Sequence, residues 1–305
     1  MEQQLIPIVR NKRKARAGDG GGREGVLKAY GRSLDQLRGR PEEIERLIAA
    51  EQDPALKQTL LHMVDRVEFA RAVLQFFPEP VQEVALRSSA RRIIFNCNRQ
   101  WGKSTIAAIR ALHRAWFWPG SLILIVSRAH AQSGGLLMKV RDFLPLLGLR
   151  ARGDGVNRQS IKFPNGSRIV ALPGGEGPTR SHSRASLVII DEASIVPDPV
   201  HDAVAPTLAT TNGDLMLLST PKGKRGAFYR AWTFGGEDWE RVFGPVDVTN
   251  PARISREFLE GERRLRGDDY MAQEYGCEFL DRDAHLFGDD MLQSVFSQDL
   301  ESWEI

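Results

Sequence analysis

Four short runs constrain this chain more than anything else in it: Arg92–Phe95, Leu122–Val126, Leu187–Ile190 and Leu215–Leu218. Each is close to wholly apolar, with no polar residue at alternate positions. A strand wetted on one face alternates apolar and polar side chains, whereas a strand covered on both faces does not. The runs therefore read as strands buried in the middle of a parallel sheet. Between them lie amphipathic stretches with helical spacing, Ser104–Trp116, Gln132–Leu147 and Pro199–Thr210. This β-α-β order predicts an α/β fold, a mainly parallel sheet flanked by helices, with ligands at the carboxyl ends of the strands.

One hairpin interrupts the order. Ser160–Pro164 and Ser167–Leu172 alternate, and the turn dipeptide Asn165-Gly166 joins them. Upstream, Pro41–Leu74 has helical spacing, broken at Asp53-Pro54, and is expected to form a helical N-terminal cap. After Pro221 the alternation fades into a basic loop (Lys222, Lys224, Arg225), a charged helix at Ser255–Arg266 and a short element at Tyr270–Leu280.

Bulk properties exclude some classes of protein. At 305 residues the chain has room for one large domain or two small ones. Its hydrophobic content of 42% and net charge of +3 are ordinary for a globular chain. Two cysteines cannot build a disulfide framework, and neither has a metal-ligand neighbour at a useful spacing. No apolar run approaches the length that spans a bilayer, and no signal-peptide pattern opens the chain. The expectation is an intracellular protein that avoids membranes. Charge is concentrated in Arg10–Arg16, five cations in seven residues before the flexible run Gly18–Gly22, a pattern of a disordered tail or an arm for nucleic acid.

The chemistry is concentrated in Asn96-Cys97-Asn98-Arg99-Gln100-Trp101-Gly102-Lys103-Ser104-Thr105. A buried strand precedes this segment and an amphipathic helix follows it. That is the layout of a phosphate loop, where backbone N–H groups and the positive helix terminus attract phosphate oxygens. Lys103 would reach the terminal phosphates, and the Ser104 hydroxyl would help hold Mg²⁺. Cys97 stands where the general loop pattern has glycine, so the loop must begin in a conformation open to other residues. The complementary half is Asp191-Glu192 at the tip of the strand Leu187–Ile190. Asp191 suits the metal, and Glu192 suits a base for the attacking water. The strand Leu215–Leu218 ends in Ser219-Thr220-Pro221, whose small hydroxyls would sense the γ-phosphate. Gln82 follows Pro80 upstream, and its amide has the donor and acceptor needed to read an adenine edge.

Taken together and in order, these segments resemble the ATPase region of viral large terminase subunits. The motifs are Gln82 in a Pro-x-Gln context, Asn98–Ser104, Val188–Ala193 and Leu218–Pro221. The phosphate loop without its first glycine is the family's usual form. Tyr270–Phe279 resembles the segment that closes the ATPase region, and the match runs from about residue 75 to 287. The resemblance implies a P-loop NTPase of the RecA/ASCE-like type. Its expected organisation is a disordered basic tail at 1–25, a helical cap at 26–75, an ATPase domain at 76–287 and a terminal linker or tail at 288–305. It also implies ATP and Mg²⁺ as cofactors. Gln82, Asn98, Arg99, Gln100, Trp101, Gly102, Lys103, Ser104, Thr105 and Thr220 would contact the nucleotide, and Arg99 would meet the γ-phosphate from within its own loop.

By the same resemblance Arg180 would act as a finger in a neighbouring subunit's site, with Arg184 as the rival, because Ser181 stands where the family usually has glycine. Partners would be double-stranded DNA, further copies forming a ring, a small terminase subunit and the capsid portal, in the cytoplasm of a host cell. Asp281, Asp283, Asp289, Asp290 and Asp299 have no spacing that argues for a two-metal nuclease, so no DNA cleavage by this chain is expected. A superfamily 2 helicase or remodelling ATPase shares several of these motifs but needs a second motor domain. A non-catalytic nucleotide-dependent scaffold would not need the intact Lys103, Ser104, Asp191 and Glu192 set.

Overall fold

A computed structural model describes residues 41–128, 130–150, 159–173, 182–246 and 254–281. The expected tails at 1–25 and 288–305, the basic run Arg10–Arg16 and the acidic residues Asp283, Asp289, Asp290 and Asp299 lie outside these residues. The fold is a seven-stranded sheet in the order β3-β4-β2-β5-β6-β1-β7. Its strands are β1 (Arg92–Cys97), β2 (Leu122–Ser127), β3 (Ser160–Lys162), β4 (Arg168–Pro173), β5 (Leu187–Asp191), β6 (Asp214–Ser219) and β7 (Trp239–Gly244). All pair in parallel except β3 with β4, the expected hairpin, whose turn places Gly166 at φ 85°. Both faces of the sheet are covered, and this explains the runs without alternation. Ile93, Phe95, Ile123, Ile125, Ile189, Met216 and Leu218 face one core. Ile94, Leu124, Val126, Val188, Ile190 and Leu217 face the other. Side chains alternate as a strand requires, but each side meets apolar partners.

Helices close both faces. Along the chain they are α1 (Pro41–Ala50), α2 (Pro54–Val64), α3 (Arg66–Ala72), α4 (Pro80–Arg87), α5 (Lys103–Phe117), α6 (His130–Phe143), α7 (Asp198–Ala209), α8 (Gly226–Phe234), α9 (Arg256–Arg266) and α10 (Asp268–Glu274). Local chemistry sets many of their starts. Asp53 caps α2 by accepting from the N–H groups of Ala55 and Leu56, with Pro54 in the first turn, and Asp65 caps α3 through those of Val67 and Glu68. Asp65 therefore splits the single run expected after Asp53-Pro54 into two helices. Leu60, Met63, Val67, Phe69 and Ala70 share one core with Ile106, Ile109 and Leu112 of α5. Three elements escaped the sequence reading. Two are the helices α4 and α8. The other is β7, an edge strand in which Val242 is buried between the exposed Arg241 and Phe243, so no apolar run marks it.

Helix α4 is held at both ends, and this matters for the site. Arg66 and the buried Arg110 each donate through Nη1 to backbone carbonyls at its C-terminus, Arg66 to Leu86 and Ser88 at 3.1 and 3.0 Å, Arg110 to Ala85 and Ser88 at 2.8 and 3.2 Å. Cations there satisfy carbonyls that the helix leaves unpaired. Among the described residues, no helix is long and apolar enough to cross a membrane.

The core beneath α3 and α5 contains one titratable ring. His113 packs against Phe69, Phe117 and Trp118, and its Nε2–H donates to the His62 carbonyl at 2.9 Å. Burial, and then the nearby Arg66, hold its pKa well below the ordinary imidazole value. The unfolded chain takes up this proton near pH 6.5 and the folded chain does not. The unfolded state thus binds more protons below that pH, so the stability is full above it and is lost as pH falls. Urea unfolding should show stability falling by up to about 1.4 kcal/mol per pH unit below pH 6.5 for this one group. A His113→Phe variant should have a slope shallower by one proton.

Candidate nucleotide site

Strand β1 runs through Cys97, whose buried thiol points at the Val242 carbonyl at 3.5 Å. The glycine of the general pattern is unnecessary here, because the residue is still in the strand. A single turn of 3-10 helix follows, Arg99–Trp101, and then Gly102 in the left-handed region at φ 92°, ψ 19°. A glycine is suited to that conformation, and it lets α5 begin at Lys103. The first-turn N–H groups of any helix lack partners inside it, and here they open at the end of a buried strand.

Strand β6 separates β1 from β5, so the acidic tip of β5 lies across the sheet's carboxyl edge from the loop. Arg99, Gln100, Gly102, Lys103, Ser104, Thr105, Asp191, Glu192 and Thr220 line one cleft of about 340 Å³, together with Lys139 of α6. That volume is in the range of small-molecule sites. The sequence reading missed Lys139. It donates to the Thr105 hydroxyl at 3.4 Å, and only the packing of α6 beside α5 brings it there.

Electrostatics in the cleft oppose burial to charge. Burial, and then the neighbouring Glu192 carboxylate, push the Asp191 carboxyl up to about 6. Burial pulls the Lys103 amine below its ordinary value. Its Nζ donates to the carbonyls of Cys97 and Asn98 at 2.6 and 2.7 Å, lying back on the loop. A buried ammonium needs such partners, and an anion in the cleft would compete for it. Glu192 itself adopts φ 55°, an uncommon conformation for a residue with a side chain. Its N–H donates to Asp191 Oδ1 at 3.0 Å, and the following Ala193 N–H donates to the Leu218 carbonyl at 2.9 Å. The Ser219 hydroxyl donates to Ser194 Oγ at 2.8 Å and so ties the tip of β6 to the turn after the acids.

Three expected nucleotide contacts lie behind the loop. Trp101 is buried and packs edge-on against Phe95 at 5.7 Å. A Cβ on Gly244 would collide with its ring, so a bare backbone at that place makes room for the indole. Asn98 is buried, donating to the Gly244 carbonyl at 3.0 Å and accepting from the Gln100 N–H at 2.9 Å. Gln82 is buried too. Its Nε2 donates to the Trp101 carbonyl at 2.7 Å, and its Oε1 accepts from the Glu79 N–H at 3.0 Å in a capping box that starts α4. Each half of the amide has a partner in this geometry, and through them Gln82 joins α4 to the loop. Arg99 lines the cleft, with its Nε 2.9 Å from Glu274 Oε2.

Arg180 and Ser181 lie outside the described residues. Arg184 is exposed, at φ 62°, just before β5 and therefore at the end of that strand opposite Asp191. Lys222, Lys224 and Arg225 are exposed in the loop after Thr220.

If Gln82 braces the loop, Gln82→Ala leaves the Trp101 carbonyl and the Glu79 N–H without these partners. The expected cost is about 1–3 kcal/mol of unfolding free energy, measured by urea denaturation.

The comparisons with known proteins agree with this fold. The family described as terminase large subunit, T4likevirus-type, N-terminal, matches residues 94–294. The terminase large subunit of Thermus virus P23-45 is 28% identical, over 72% of this chain and 52% of its own length. The chain thus spans about half the length of the curated relatives it matches. Among solved structures, the large terminase ATPase domain of Thermus phage P74-26 superposes with a TM-score of 0.58 at 25% identity, covering 69% of this chain and 97% of that one. The large terminase of another thermophilic bacteriophage, solved in complex with ADP, gives a TM-score of 0.54 at 10% identity, over 72% of this chain and 53% of that one, and shares the fold. With the phosphate loop, the acidic strand and the intervening strand inside the matched span, this chain belongs to the terminase large subunit family.

Proposed function

We propose that this chain is an ATP-hydrolysing motor for packaging viral double-stranded DNA. The observation that carries the proposal is the convergence of Lys103 and Ser104 with Asp191 and Glu192 on a single cleft. The thermophilic phage terminase solved with ADP supports a nucleotide as the ligand. The donor set fits Mg²⁺ as well: a hydroxyl and a buried carboxylate face a helix N-terminus suited to phosphate. Ser104 and Asp191 would hold the ion, which when bound neutralises charge on the phosphate oxygens.

The chain's own groups supply the remainder. Lys103 leaves the loop carbonyls for the terminal phosphates, and Arg99 adds a second cation. Glu192 orients a water and takes its proton as the water attacks. Thr220 reads the γ-phosphate at the tip of β6 and is followed at once by the basic loop. Lys222, Lys224 and Arg225 grip the DNA backbone through phosphates, as sequence-independent motion requires. Arg180, supplied to a neighbouring copy's cleft in a ring, stabilises charge in the transition state. A small terminase subunit and a capsid portal complete the assembly.

Glu192→Gln should lower ATP turnover by about 10²–10⁴-fold while fluorescent-ATP binding persists, and Lys103→Ala should lose the binding itself. Equal phosphate release by wild type and Glu192→Gln would exclude this mechanism. For DNA, Lys222→Ala with Lys224→Ala should weaken binding to unrelated duplexes alike and reduce the slope of log K against log salt by about 2. An unchanged slope would remove the loop from the DNA path.

A further inference from the structure

We propose that Glu274 is a positioning residue for Arg99. The inference rests on the ATPase reading above and concerns how that site is built. Arg99 sits on the 3-10 turn of the phosphate loop, and its side chain is 69% exposed. A long, exposed side chain samples many rotamers, and ordering it for catalysis carries an entropic cost. Its Nε lies 2.9 Å from Oε2 of Glu274, a carboxylate with only 10% of its side chain exposed. The pair is asymmetric. The acid is fixed and the base is loose, so the acid sets where the guanidinium rests.

Three features fit anchoring rather than a surface ion pair of little consequence. First, Glu274 closes α10, and the chain that follows is pinned to the strand tips beside the loop. Asn96 Nδ2 donates to the Cys277 carbonyl at 2.9 Å, and the Val246 N–H donates to the Tyr275 carbonyl at 2.8 Å. Cys277 adopts φ 60° there, and its thiol lies 3.5 Å from the Gly244 carbonyl. Second, Glu274 Oε1 accepts from Gln273 Nε2 at 3.2 Å, which fixes the carboxylate plane from its other side. Third, the contact uses Nε of Arg99. The two terminal nitrogens remain available to the cleft that Arg99 lines, and a guanidinium fork suits phosphate oxygens. A buried carboxylate needs a cationic or hydrogen-bonding partner. Glu274 Oε2 has no hydrogen-bond partner among the described residues, so it holds Arg99 by charge alone, and the reacting phosphate meets a cation already close to the cleft.

The test is a double-mutant cycle on the full chain, reading kcat and KM for ATP hydrolysis together with ADP affinity. Glu274→Ala should lower kcat by about 10-fold, Glu274→Gln by less, and ADP affinity should be unchanged. Arg99→Ala should lower kcat by about 10²-fold, and adding Glu274→Ala to it should lower kcat no further. A purely structural Glu274 would lower kcat equally in both backgrounds and would shift ADP affinity, and either result overturns the proposal. Wild-type turnover with Glu274→Ala at full rate overturns the positioning role alone. A wild type that neither binds nor hydrolyses ATP overturns the ATPase reading and this role with it.

Discussion

Burial of the sheet on both faces is the constraint on which the remainder of this structure depends. Apolar side chains fill both cores, so the middle of every central strand is closed to chemistry. Polar and charged groups are left to the strand ends. Parallel strands bring their carboxyl ends to one edge, and helices begin there with unpaired N–H groups. The nucleotide cleft is therefore a consequence of topology as much as of any motif. Lys103, Asp191 and Thr220 belong to different segments and share a cleft because β1, β6 and β5 are neighbours in that order.

The loop is braced from behind by residues that never line the cleft. Gln82 holds the Trp101 carbonyl, Asn98 holds Gly244, and Trp101 fills the space that Gly244 leaves open. Arg66 and Arg110 fix the far end of α4. A chain of buried and part-buried hydrogen bonds thus runs from the N-terminal helices to the loop backbone. From the other side the Tyr275–Cys277 segment reaches Val246 and Asn96, and Glu274 reaches Arg99. Contacts of this kind hold a polar loop against buried strands, since a buried hydrogen-bonding group without a partner costs about 1–3 kcal/mol.

The acidic tip combines two unfavourable features. Asp191 is buried beside a second carboxylate, and Glu192 sits in a backbone region uncommon for its type. Neither aids folding. Residues held this way persist where the surrounding structure over-determines them, and such places concentrate at functional sites. Here the Ala193 and Ser194 contacts to β6 do the holding.

Local pattern sufficed for the central strands, most helix limits, the Asn165-Gly166 hairpin and the motif residues that meet in the cleft, because each is written in adjacent or regularly spaced residues. It failed where the deciding contacts are distant in sequence. Strand β7 has no apolar run, since an edge strand buries little, and it exists because β1 offers it a backbone ladder. Lys139 carries no motif, and Glu274 lies in the Tyr270–Phe279 segment with no role marked for it; they enter the site through helix packing and an ion pair 175 positions from Arg99. Gln82, Asn98 and Trp101 were legible as site residues, but whether they face the ligand or the core depends on which way the loop turns. The sequence by itself determined which segments could be buried and which could bind phosphate. Only the tertiary structure decided which side chains face the cleft, because facing is a relation between segments that no local spacing encodes.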